Sequence, residues 1–364
     1  SVIVVGIAGV VAVLVGLLSM AVGFEAALTS TSMENRAIVL RGGSNNELSS
    51  AISIEEFNIL SGMAGIEAAS AELYVVADVP KKATGKPANL IVRGMREEGF
   101  VVRPEVEIVA GRIFQPGKGE LIAGIKAVDQ FQGLDIGSKV DFRESGWTVV
   151  GHFQSQGSAY ESEIWVDLAV AQANFRRGGS ASSARVLLED PHAVELLNAT
   201  ISEDPRMDVS LQTEAEFYAG QSASRAALIN TFGYMVAVIM AVGAVFAALN
   251  TMYTAVSART VEIATLRALG FGGLPVVVSV LIESLLLAAL GGLLGGVLVY
   301  TIFDGYTAST LNSASFSQIA FDFAVTPELL QLGITWALLL GLVGGLFPAV
   351  RAVRLPITTA LRGE

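Results

Sequence analysis

Residues 257–271 read SARTVEIATLRALGF, a charged, helix-prone segment set between two stretches that are almost wholly apolar. Arg259, Glu262 and Arg267 interrupt a run that would otherwise stay in hydrocarbon. Crossing a bilayer takes about 20 apolar residues, and windows of that kind lie on both sides of the segment, at 226–256 and 274–303. Two more occur at 1–24 and 329–350. The first is too long for a signal-peptide core and has no clear cleavage site after it, so it reads as a retained span. The chain opens on it at Ser1 without a Met, and an upstream segment is expected.

Composition agrees with four spans. Hydrophobic residues make up 52% of the chain and charged residues 16%, with a mean hydropathy of +0.58, whereas soluble domains are about a quarter charged. The charge is concentrated: residues 25–225 hold 28 of the 34 acids and 18 of the 23 Lys and Arg. A polar, acidic domain therefore sits inside an apolar frame. Its acidity argues against nucleic acid, which calls for basic patches.

Orientation follows from the short connections. The segment 257–273 carries Arg259 and Arg267, and the tail 351–364 carries Arg351, Arg354 and Arg362. The loop 304–328 has no Lys or Arg. The two basic segments are expected in the cytoplasm, with 25–225 and the loop 304–328 outside. Within 25–225, ELYVVADV (72–79), ANLIVRGM (88–95), WTVVGHF (147–153) and ARVLLED (184–190) read as strands. Residues 53–63 and 191–203 read as helices, the first with Ser53 and Glu56 spaced as a capping box. The expected fold class is an α-helical membrane protein of four transmembrane helices, with a large mixed α/β extracytoplasmic domain inserted between spans 1 and 2.

Catalytic chemistry is not apparent. There is no cysteine, which removes disulfides and thiolate chemistry. His152 falls in a predicted strand and His192 beside a helix start, so both read as structural or surface residues. PGKGE (116–120) lacks the glycine spacing and the Ser/Thr of a phosphate loop. No catalytic residue, metal site or cofactor is assigned. Glu283 alone is ionisable well inside a span. An intramembrane carboxylate suggests a carrier by default, but no other span offers a partner. It reads instead as a helix-packing group bonded to Ser or backbone.

On a helical wheel, Val261, Ala264, Thr265, Ala268 and Leu269 share one arc. That arc is expected against the membrane surface or the span ends. The opposite arc holds Arg259, Glu262, Ile263, Leu266 and Arg267. Large aliphatics ringed by charge are what protein interfaces use, and a face resting in headgroups is the alternative.

RTVEIATLRALG (259–270) resembles the loop between the second and third spans of MacB/FtsX-type ABC permeases, written R-x-x-E-I-G-x-L-R-A-x-G. Arg259, Glu262, Ile263, Leu266, Arg267, Ala268 and Gly270 match, and Ala264 replaces the usual Gly. The tail PAVRAVRLPITTALR (348–362) is similar to the family's ending, with Pro356 one residue early. AGRIFQPGKGELIAG (110–124), LDIGSKVDF (134–142) and TVVGHF (148–153) resemble its extracytoplasmic domain. The resemblance implies a coupling helix at 257–273 that docks on a separate ABC ATPase, which binds ATP and Mg²⁺. It further implies a dimer with a second permease copy or paralogue, and a bacterial inner-membrane location with the large domain in the periplasm. The work done there would be lipoprotein or lipid extraction or efflux of a hydrophobic compound or peptide, with a periplasmic adaptor or substrate protein as partner. A membrane-anchored sensor or scaffold is the alternative, but the inside offers only a short loop and tail.

Small residues mark expected helix contacts. Gly9, Ala12, Gly16, Ser19 and Gly23 recur every three or four residues in the first span, and Ala237, Ala241, Ala244, Ala248 and Thr251 in the second. Such stripes let helices approach where lipid supplies no hydrophobic drive. They are expected to face each other across a dimer axis, leaving the spans with Gly292, Gly295, Gly341 and Gly345 peripheral.

Overall fold

The computed structural model describes residues 2–142, 145–311 and 317–354, without the side chains of 222–226. Its helices are α1 (Val2–Thr29), α2 (Ile54–Ser61), α3 (Glu98–Val101), α4 (Ile125–Gln130), α5 (Leu168–Asn174), α6 (Ala193–Glu203), α7 (Glu214–Ala258), α8 (Thr260–Ala268), α9 (Gly273–Phe303) and α10 (Pro327–Arg354). The first seven strands are β1 (Arg36–Arg41), β2 (Ile52–Ser53), β3 (Ile66–Pro80), β4 (Pro87–Met95), β5 (Glu107–Gly111), β6 (Glu120–Gly124) and β7 (Lys139–Phe142). The rest are β8 (Ser145–Gln154), β9 (Glu163–Asp167), β10 (Ser180–Ala181), β11 (Ser183–Leu188), β12 (Val209–Thr213), β13 (Thr307–Leu311) and β14 (Gln318–Asp322). These elements form two compact units: residues 24–224 with 307–322, and the remainder.

The first unit is the interspan domain. Its main sheet runs β12-β1-β11-β3-β4-β9-β6-β8-β5, with β7 on β8. Pairing is antiparallel except for β4–β9 and β6–β8. Alternation along β3 sends Leu73, Val75, Ala77 and Val79 into a core shared with Trp147, Phe142 and Phe175. The Phe142 and Trp147 rings stack at 5.1 Å. At the other end of the sheet α2 and α6 cover β1, β11 and β12 through Leu60, Leu197 and Ile201. The Ser53–Glu56 capping box starts α2. Gly111 ends β5 at φ 75°; a Cβ there would lie 2.2 Å from the Val150 carbonyl oxygen, so only glycine fits.

Two boundaries differ from the sequence reading. The segment 304–328, expected as a loop, contains the β13–β14 hairpin, which belongs to the interspan domain. There Ala320 N–H donates to Ser162 Oγ at 2.9 Å, and Lys126 Nζ lies 2.9 Å from Asp322. The hairpin is short and half apolar, with Ile319, Ala320 and Phe321 buried, and its partners are remote in sequence. The other difference is α7, which begins at Glu214 and not near 226. Thr213 and Glu216 exchange side-chain-to-backbone bonds at 3.1 Å, an N-terminal capping box, and no proline interrupts the helix through Ala258.

In the second unit four helices are long and apolar enough to cross a membrane: Val2–Thr29, Ala227–Ala258, Gly273–Phe303 and Pro327–Arg354. Glycine sets their packing. A Cβ on Gly341 would lie 2.3 Å from Ala288 Cβ, and one on Gly292 would lie 2.8 Å from Ala337 Cβ, joining α9 to α10. Gly291 and Gly295 of α9 approach the carbonyl oxygens of Val4 and Ala8 on α1, at 2.9 and 2.6 Å for the same test atom. Gly344 of α10 faces Ala248 of α7. The third and fourth spans are therefore central to the packing of this unit, not peripheral.

The small-residue stripes are also used differently. Ala237, Ala241, Ala244 and Ala248 are buried within this chain, with Ala244 opposite Gly6 of α1 and Ala248 opposite Gly344. These four alanines pack against helices of their own chain. On α1, a Cβ on Gly9 would lie 4.0 Å from the Met240 methyl, and one on Gly16 would meet nothing within 4 Å. Ser19 donates to the Gly16 carbonyl at 2.9 Å within its own helix, Ala12 is half-buried and Gly23 buried. Spacing identified a close-packed face on α7, but the partner was decided by which helices were near.

Candidate coupling groove

Helix α7 ends at Ala258, and Arg259 turns the chain into α8 with φ −107° and ψ 14°. The far end of α8 is closed by Gly270 at φ 97°. Gly270 N–H donates to the Arg267 carbonyl and Phe271 N–H to the Leu266 carbonyl, both at 3.1 Å. That is a Schellman stop, whose left-handed residue is normally glycine. The sequence RALGF thus fixes where the segment ends.

The packed face of α8 is Thr260, Ile263, Ala264 and Arg267, the i, i+3, i+4, i+7 set of a helix. Ala264 is buried and the other three are half-buried. Ile263 packs into the core of the membrane unit. Of the five residues read as a docking arc, Arg259, Glu262 and Leu266 are exposed, while Ile263 and Arg267 turn inward. Of the arc expected against the membrane surface or the span ends, Ala264 is buried, while Val261, Thr265, Ala268 and Leu269 are exposed. The face the bundle covers straddles the two arcs, taking Ile263 and Arg267 from one and Ala264 from the other.

Between α8 and the start of α9 lies a groove of about 350 Å³. Ile263, Leu266, Phe271, Pro275, Val276 and Val280 give it apolar walls, and Arg259, Glu262 and Glu283 bring charge. Arg259 Nη1 lies 3.0 Å from Glu283 Oε2. This corrects the reading of Glu283 as bonded to Ser or backbone. The Arg259 stem is long enough to carry its guanidinium from the α7–α8 corner to the carboxylate. The packing bond expected of Glu283 is made by its neighbour: Ser284 Oγ donates to the Gly341 carbonyl at 2.6 Å.

A second polar constellation, in the interspan domain, was not foreseen. Arg36, Arg93, Arg103 and Arg185 are all at most 1% exposed, and they meet Glu47, Glu72, Glu163 and Glu214, each at most 5% exposed. Arg93 bonds Glu47, Glu72 and Glu163, and Arg103 takes both oxygens of Glu72. Glu214 accepts from Arg36, from Arg185 Nε at 3.2 Å and from Tyr160 Oη at 2.7 Å. Burial would raise the carboxyl pKa of Glu47, but Arg185 and Arg93 outweigh it and hold the group well below the usual carboxylate range. Glu72 is likewise lowered, burial being outweighed by Arg103 and Arg93. Burial also pushes the Tyr218 phenol well up. His152, by contrast, is structural, with Nε2 2.8 Å from the Leu134 carbonyl.

The chain thus places a mixed α/β domain between the first and second of four candidate spans, and a short helix between the second and third. The family described as FtsX-like permease C-terminal matches residues 234–357, and the MacB-like periplasmic core domain matches residues 1–204. The chain belongs to the MacB/FtsX-type family of ABC transporter permeases. It is 26% identical over 211 residues to the uncharacterized ABC transporter permease YknZ of Bacillus subtilis, across 56% of this chain and 50% of that one. An uncharacterized ABC transporter permease of Methanocaldococcus jannaschii is 25% identical over 238 residues, 64% of this chain and 58% of that one. The chain thus spans about half the length of the curated relatives it matches. Among solved structures, the periplasmic region of MacB from Actinobacillus actinomycetemcomitans aligns at TM-score 0.40 and 15% identity, covering 52% of this chain and 92% of that one. The extracellular domain of the noncanonic ABC-type transporter YknZ aligns at 0.37 and 17%, covering 49% and 100%.

Proposed function

We propose that this chain is the membrane subunit through which a separate ABC ATPase, holding ATP and Mg²⁺, does mechanical work on the interspan domain outside a bacterial inner membrane. The observation that carries this is α7. It is one helix from Glu214, rooted in the buried ion cluster, to Ala258, one residue before the turn into α8. A continuous helix with those two ends is suited to passing a push at α8 into the interspan domain. The work is lipoprotein or lipid extraction, or efflux of a hydrophobic compound or peptide, with a periplasmic adaptor or substrate protein as partner. The sensor or scaffold reading is not favoured, because the family match is to permeases.

Docking rests on the exposed residues Val261, Leu266, Leu269 and Phe271, which are 44–73% exposed, together with Glu262. A second permease copy or paralogue meets the outward face of α7. There Leu228, Phe232, Met235, Ile239, Val242 and Phe246 recur every four or three residues and are 49–68% exposed. The test is Leu269→Asp in the full chain. It should strip the ATPase from the purified complex while the permease stays folded, because a carboxylate would be buried against an apolar interface. Stoichiometric ATPase on that variant would reject the docking reading.

A further inference from the structure

We infer that the interspan domain holds a binding site for a ligand with two or more ammonium groups on a flexible chain. The site is a cleft bordered by β5, α4, the end of β8 and the β13–β14 hairpin, all within the first unit. This goes beyond the coupling reading and does not depend on it. The cleft has a volume of about 620 Å³, within the usual size of small-ligand sites.

Five acids line it, Glu105, Glu107, Asp129, Glu161 and Asp322, against one base, Lys126. Two of the acids are balanced. Arg36 holds Glu105 at 2.9 Å, and Lys126 Nζ lies 2.9 Å from Asp322 while donating to the Gly157 carbonyl at 2.9 Å. Glu107 accepts from the Gln154 side-chain amide at 2.9 Å and has no base beside it among the described residues. Asp129 lies in the last turn of α4, where the helix dipole disfavours a carboxylate. It has no ion pair or hydrogen bond among the described residues. Glu161 is the decisive group. It is 2% exposed, and the backbone amides of Ser155 and Gly157 both donate to its Oε1 at 2.8 Å. Its Oε2 accepts no hydrogen bond; Lys126 Nζ stands 3.8 Å away, beyond hydrogen-bond reach. A buried carboxylate oxygen left in that state is costly, and a donor entering the cleft would complete it.

Glu107, Asp129 and Glu161 belong to three separate elements, so they call for a cation whose charge is spread. A metal ion gathers its oxygens around one point, and no three acids among the described residues are grouped to hold one. A phospholipid needs apolar walls for its chains, and of the described lining only Pro104 and Ile125 have purely apolar side chains. A chain of ammonium groups fits both the spread and the polarity, each head donating up to three bonds. Free polyamines and lysine-rich peptides share that chemistry.

Isothermal titration of the full chain in uncharged detergent tests this, with spermidine, trilysine and Ca²⁺ as separate titrants. Spermidine or trilysine should bind saturably, one per chain, and more weakly as salt is raised. Binding of spermidine alone assigns a free polyamine, and binding of trilysine alone assigns a peptide. Glu107→Gln and Asp129→Asn, both at exposed positions, should each weaken binding about two- to fivefold, as for one exposed ion pair. Glu161→Gln keeps an oxygen for the Ser155 and Gly157 amides and should weaken it roughly tenfold. Glu55→Gln, exposed on α2 and outside the cleft, should change nothing. Equal losses in the cleft variants and in Glu55→Gln, or none in any of them, would reduce the attraction to the chain's net charge of −11 and overturn the site. So would Ca²⁺ that binds more tightly and displaces spermidine, or the absence of saturable binding by both spermidine and trilysine.

Discussion

Arg93 and Glu163 meet as a two-pronged pair across the parallel strands β4 and β9, with Nε–Oε2 and Nη2–Oε1 both at 2.7 Å. Trp165 adds a third bond, its indole N–H donating to Glu163 Oε2 at 2.9 Å. The remaining Arg93 nitrogen serves Glu47 and Glu72, so one guanidinium bonds three of the cluster's four glutamates. Arg93→Met would strand buried carboxylates and should cost about 3–5 kcal/mol. Arg93→Lys should recover only part of it, because an ammonium cannot form the fork. Denaturant unfolding followed by tryptophan fluorescence measures both, and a loss below about 1 kcal/mol for Arg93→Met would deny the cluster a stabilising role.

Acid should weaken the same cluster. Glu47 and Glu72 have folded-state pKa values below those of the unfolded chain, which lie near 4.3. Their contribution is fully present above that unfolded value and is lost as pH falls through the folded ones. The melting temperature should hold through about pH 5 on their account and fall below about pH 4. Glu47→Gln should start less stable at neutral pH and show a shallower acid limb. Equal acid slopes for parent and variant would contradict the assignment.

Glycines at helix crossings should differ sharply from those that face open space. Gly295→Ala places a Cβ 2.6 Å from the Ala8 carbonyl oxygen, and Gly341→Ala places one 2.3 Å from Ala288 Cβ. Each should destabilise by about 1–3 kcal/mol through overpacking. Gly243→Ala meets nothing within 4 Å and should be neutral or slightly stabilising. Thermal denaturation of the detergent-solubilised chain, read by loss of the monodisperse chromatographic peak, ranks the three.

The subunit contact should map to the outward face of α7. With no native cysteine, Ile239→Cys and Val242→Cys should each give disulfide-linked permease dimers under mild oxidation. Leu290→Cys, 53% exposed on α9, should not. The reverse pattern would place the contact on α9.

Sidedness can be read with the same cysteine-free background. The exposed Thr84 in the β3–β4 turn is the probe for the outer side. Thr84→Cys should react with an impermeant maleimide from outside, and Ser257→Cys only after permeabilisation. Reaction of both from one side would overturn the orientation.

Local pattern carried much of this protein. Four apolar windows, the Ser53–Glu56 cap and the stop at Gly270 are all legible, because hydropathy, capping bonds and turn geometry involve residues within a few positions of one another. The buried ion cluster was not: Arg36 and Glu214 are 178 residues apart. Their meeting depends on β12, β1 and β11 lying side by side and on α7 starting directly after β12. The same holds for the β13–β14 hairpin and for Arg259 reaching Glu283. Spacing revealed that α7 has a face of small residues, and a wheel revealed the two arcs of α8. What covers each face was decided by tertiary packing, since close approach of α1 and α9 through Gly291 and Gly295, and of α10 to α7 through Gly344, is a property of several helices at once and of no single stretch of sequence.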